Sequence, residues 1–103
     1  MYDTVILNGT LVDGTKVLPY KKNIGLKNSK IAIVTEEPIL GRKTIDATNR
    51  WVSPGFIDIH SHGDLMPFLG EPYGSSRVIQ GITTEVVGQC GISPLAPPLW
   101  GAR

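Results

Sequence analysis

Between Tyr2 and Val52 the apolar residues come in short alternating or unbroken runs, each closed by a turn signal at intervals of about ten residues. That rhythm predicts the strands of a small antiparallel sheet. In "TVILNGTLVD" the pair Asn8-Gly9 separates two apolar runs, and this dipeptide accepts the positive φ angles of a type I′ hairpin turn. "NIGLKNSKIAIVTE" repeats the device: Ile24 and Leu26 alternate, Asn28 and Ser29 turn, and Ile31 to Val34 form the return strand. "KTIDAT" predicts a third short strand, leading through Asn49-Arg50 into "WVSPG". Residues 1–53 therefore read as part of a small β-sandwich.

After Pro54-Gly55 the pattern changes. "FIDI" is β-branched and aromatic, "SSRVIQG" predicts a short helix capped by Ser75 or Ser76 and stopped by Gly81, and "ITTEVVGQC" predicts a second strand. Strand, helix and strand with near-continuous apolar runs point to a parallel βαβ unit over 54–103, with a right-handed crossover. From Pro94 onward, "PLAPPLWGAR" reads as loop. The fold class is thus mixed β and α/β.

One polar pattern interrupts the second half. "FIDIHSHGD" carries Asp58, His60, His62 and Asp64 at every second position, and both histidines of the chain lie there. In a strand this spacing puts Asp58, His60 and His62 on one face and Ile57, Ile59 and Ser61 on the other. Two imidazoles so placed reach one divalent ion at about 2.0–2.1 Å, and a nearby carboxylate can fix their tautomers. Asp58 is a candidate to orient the histidines and Asp64 to line the site; both are equally compatible with structural roles. The histidines alone are also compatible with an edge strand that binds nothing. Cys90 closes the second strand in "VVGQCGIS". If the strands are parallel neighbours, Cys90 meets the histidines at the carboxyl edge of the sheet, where a thiolate can join them on a metal. A small buried residue and a reactive thiol are the other readings of a single cysteine.

Composition narrows the partners. Ten Lys+Arg against nine Asp+Glu leave a formal charge of +1, without a basic cluster, so neither nucleic acid nor a membrane surface is an expected partner. No apolar run approaches the roughly 18 residues of a spanning helix, and "MYDTVILNGT" lacks the features of a signal peptide. One cysteine excludes an internal disulfide and fits a reducing, cytoplasmic setting.

"VSPGFIDIHSHGD" followed by "SSRVIQGITTEVVGQCGISPLAPP" closely resembles the start of the N-acyl-D-amino-acid deacylases, the D-aminoacylase branch of the amidohydrolase superfamily. The resemblance covers roughly residues 2–98. It implies a metal-binding (β/α)8 barrel beside a small β-sandwich built from both ends of a longer chain. It also implies His60, His62 and Cys90 as ligands of Zn2+ or a similar divalent ion. The implied chemistry is hydrolysis of an N-acyl-D-amino acid, the ion polarising the scissile carbonyl and lowering the pKa of a water to about 7. Two departures stand out: Gln89 where the family often has Asn, and Asn49 where it often has Gly. The family's later histidines and its acid/base aspartate have no counterpart up to Arg103. The resemblance therefore implies an N-terminal part of a catalytic unit, about two of eight barrel strands, inactive alone and prone to self-association or to pairing with a chain that completes the barrel. The alternative is a non-catalytic β-rich domain or subunit with a structural metal or none.

Overall fold

The structure, a computed structural model, describes residues 1–70 and 75–91. The loop expected from Pro94 lies outside the described residues. The chain divides into two compact units, Met1–Pro54 and Gly55–Arg103. No helix among the described residues is long and apolar enough to cross a membrane.

The first unit is one five-stranded sheet of β1 (Tyr2–Leu11), β2 (Tyr20–Lys27), β3 (Lys30–Thr35), β4 (Gly41–Asp46) and β5 (Trp51–Val52). Its order is β3-β2-β1-β4, with β5 pairing the far end of β1 beyond β4. The β2–β3 hairpin turns as its sequence predicts: Asn28 and Ser29 both take positive φ, 52° and 60°, the requirement of a type I′ turn. Two other expectations need correction. The sheet is mixed, because β4 and β5 run parallel to β1 while β2 is antiparallel to it. And Asn8-Gly9 is not a hairpin turn but a bulge inside the ten-residue β1, where the register with β2 shifts between Ile6 and Gly9.

The cause of that difference is non-local. Asn8 takes a φ of 62°, yet its N–H is captured by Asn23 Oδ1 at 2.9 Å and Asn23 Nδ2 donates to Glu37 O at 3.0 Å. One side chain on β2 thus fills the gap that the bulge opens, and the strand runs on instead of reversing. Gly9 is needed for space: a Cβ there would lie 2.6 Å from Val52 Cγ2 and 3.3 Å from the Ala47 Cβ. Gly9→Val is expected to destabilise the sheet by about 1–3 kcal/mol through overpacking. A denaturation midpoint equal to the wild type's would contradict this close approach.

Val5, Leu11, Ile24 and Ala47 form the buried core of this unit. One face of the sheet holds an apolar groove of about 240 Å³, lined among others by Ile6, Leu11, Tyr20, Ile24, Ile31 and Val34. At its rim the Asp13 carboxylate accepts from the Thr15 hydroxyl (2.6 Å), the Thr15 N–H (2.8 Å) and the Tyr20 hydroxyl (2.9 Å). Those bonds hold its carboxyl below the usual carboxylate value, the Thr15 hydroxyl contributing most.

The second unit opens with β6 (Phe56–Asp58), which pairs in parallel with β7 (Ile82–Glu85) across the short helix α1 (Ser75–Val78). The connection ends as the sequence suggests. Gly81 takes a φ of 85° and donates to Val78 O at 2.9 Å, and Phe56 N then donates to Gly81 O at 2.9 Å, which starts the strand pair. Both strands are shorter than expected.

Candidate metal centre

His60 and His62 lie beyond the end of β6, not on it. The strand stops because Asp58 Oδ1 accepts the main-chain N–H of His60 at 3.0 Å, a local bond that replaces the ladder there. Pairing with the other strand continues irregularly through Val86 N to Asp58 O (2.8 Å) and Ser61 N to Val86 O (3.1 Å). Buried Ser61 then turns the chain, its Oγ accepting from Gly63 N at 3.0 Å. Asp58 therefore acts on His60 through the backbone.

After β7 the chain reaches Cys90 through a tight turn, Gln89–Gly91, in which Cys90 takes a φ of 58°. Because β6 and β7 are parallel neighbours, their carboxyl ends deliver His60, His62 and Cys90 to one place. One donor atom from each residue lies within 4.8 Å of the others. Cys90 Sγ is 3.6 Å from His60 Nε2. The two imidazole rings are 5.6 Å apart between centroids and nearly perpendicular, at 79°. His60 and Cys90 are exposed and His62 is half-buried.

The geometry suits a small cation. A tetrahedral zinc with Zn–N about 2.0–2.1 Å and Zn–S about 2.3 Å separates its N and S donors by about 3.6 Å, which the Cys90–His60 distance matches. His62 Nδ1 and both Asp64 carboxylate oxygens are buried without a hydrogen-bond partner among the described residues. Leaving such atoms unmatched costs about 1–3 kcal/mol each; of the two residues only His62 belongs to the converging donor set, and Asp64 does not.

The same corner holds residues that the sequence reading passed over. Glu85, at the end of β7, forms an ion pair with Arg77 of α1, and their side chains are only 11% and 19% exposed. The Glu85 carboxylate occupies the space that a Cβ on Gly63 would need, so a larger residue there would displace that carboxylate. A lone acid in "ITTEVV", an otherwise β-forming run, is the signal that could have found it.

The profile of the amidohydrolase family matches residues 43–101, more than half of the chain, and the chain belongs to that family. Among curated relatives it is similar to the N-acyl-D-glutamate deacylase of Alcaligenes xylosoxydans xylosoxydans, with 39% identity over 100 residues that make up 96% of this chain and 20% of that protein. Among solved structures it is similar to the N-acyl-D-glutamate deacylase of Bordetella bronchiseptica complexed with zinc and a phosphonate inhibitor. The TM-score there is 0.84 at 40% identity, over 97% of this chain and 21% of that one. A D-aminoacylase structure described with a binuclear metal centre gives a TM-score of 0.82 at 38% identity, over 94% and 20% of the two chains. The chain spans about a fifth of the length of the relatives it matches.

Proposed function

We propose that this chain supplies the N-terminal part of a metal-dependent amidohydrolase that cleaves the amide bond of N-acyl-D-amino acids. The observation that carries the reading is the convergence of His60, His62 and Cys90 at the carboxyl ends of two parallel strands, the edge where α/β barrels build their sites. In this reading residues 54–103 begin a (β/α)8 barrel and residues 1–53 are a β-sandwich portion. The apolar groove on the sheet supports the latter, as a face that further strands would cover.

His60, His62 and Cys90 hold the ion, and zinc is the ion we assign because two nitrogens and a thiolate suit it. A reducing, cytoplasmic setting keeps the thiol available. When bound, the ion supplies Lewis acidity at the substrate carbonyl. Asp58 sets the backbone of His60, and the Asp64 carboxylate lines the site two residues beyond His62. Exposure of His60 and Cys90 leaves the site open on one side, which favours a catalytic over a closed structural ion. Phe56, Ile57, Ile59, Val78 and Ile79 are exposed, and we assign them to contacts with a second copy or a chain completing the barrel.

Replacing the matching fifth of an N-acyl-D-glutamate deacylase with this chain tests the proposal. The chimera is expected to hydrolyse N-acyl-D-amino acids with zinc, and His60→Ala within it to abolish turnover. The 103-residue chain alone is expected to show none, since a missing positioned acid/base forfeits about 10²–10⁴-fold. A folded chimera without zinc or activity, or turnover by the chain alone as a monomer, would overturn the reading.

A further inference from the structure

We propose that Gln89 is a positioning residue for the metal centre, pinning the Cys90 turn to the His60 segment; the inference rests on the metal reading above. Gln89 Nε2 donates to Ile59 O at 3.2 Å. This bond and the Cys90–His60 contact each join positions 30 residues apart in sequence, one place along from each other. The amide thus fixes the register of the two chain ends whose next residues are the thiol and the imidazole.

The turn needs such a pin. Gly88, Cys90 and Gly91 all have positive φ, 79°, 58° and 70°. Glycine adopts these angles freely, but cysteine does so only when its surroundings hold it there. Cys90 is exposed, so packing against the described residues does not hold it. Beside the Cys90–His60 contact itself, the Gln89 amide is the side-chain hydrogen bond among the described residues that reaches from this turn to the histidine segment. Its acceptor, the Ile59 carbonyl, lies just past β6. The length of glutamine matters: an asparagine amide is one methylene shorter and would have to draw the turn inward to make the same bond.

Cobalt(II) titration of the 103-residue chain tests this, read as affinity and as the thiolate-to-cobalt charge-transfer band, beside thermal unfolding. Gln89→Met and Gln89→Glu keep the length but remove the donor. Both are expected to lower cobalt affinity by about 10–100-fold and weaken the band, the range for residues that orient ligands, with an unchanged melting temperature. Gln89→Asn, which restores a donor at shorter reach, is expected to fall between them and the wild type. Wild-type affinity and band in the Met and Glu variants would overturn the proposal. So would a loss of binding matched by a loss of fold in both, which would assign Gln89 to stability alone. A wild-type chain that binds no cobalt overturns the metal reading and this inference with it, whereas cobalt bound by the wild type and equally by the variants overturns this inference only.

Discussion

Cys90→Ala and His60→Ala are each expected to lower zinc affinity by more than about 100-fold, because removing a ligand exceeds the 10–100-fold cost of disturbing a residue that only orients one. The two side chains meet at 3.6 Å, so each substitution would remove one of the proposed ligands from the same place. Their effects should be far from additive: once one ligand is gone, the remaining pair has little affinity left to lose. Both positions are exposed, and neither substitution opens a cavity, so the fold should survive and the loss should be confined to binding. Competition with a chromophoric chelator measures it. Affinities within a few-fold of the wild type in both variants would mean that the three residues do not share an ion.

Arg77→Ala is expected to destabilise the second unit by about 1–3 kcal/mol, between the values for exposed and for fully buried ion pairs. Glu85 is 11% exposed and lies against Gly63, so without its guanidinium the carboxylate has neither a counter-charge nor ready access to water. Glu85→Ala should cost a comparable amount by stranding Arg77, while the double substitution should cost clearly less than the sum. That pattern separates a pairwise Coulombic contact from two independent packing effects. Chemical denaturation of the four proteins provides the comparison, and strict additivity would contradict the pairing.

The local elements were legible where the chemistry is local. Asn28-Ser29 marks its hairpin because the φ angles that the turn needs are those that asparagine tolerates and its flanks alternate. Asn8-Gly9 sends the same signal and means something else, since a bulge also needs a positive φ; only Asn23, fifteen residues away, decides that β1 continues. The parallel pairing of β4 and β5 with β1 was illegible for a related reason: strand direction is set by which neighbour a segment finds, not by its own side chains. In the second unit the His-x-His and Cys-Gly signals named the residues, and the β6–β7 pairing explains why they meet. The alternation predicts both histidines on a strand, however, whereas the Asp58 hydrogen bond turns the chain at His60 and the Ser61 hydrogen bond turns it at His62. Glu85, Arg77 and the Gln89 amide act across the fold, and nothing in their own neighbourhoods announces a partner.

The central claim is that His60, His62 and Cys90 bind one ion. X-ray absorption at the zinc edge of the zinc-loaded chain tests it most directly, because sulfur and nitrogen scatter at distinct distances. The account predicts one zinc per chain with one sulfur near 2.3 Å and two imidazole nitrogens near 2.0–2.1 Å, the sulfur shell vanishing in Cys90→Ala. A zinc shell of oxygen and nitrogen alone in the wild type, unchanged by that substitution, would contradict it.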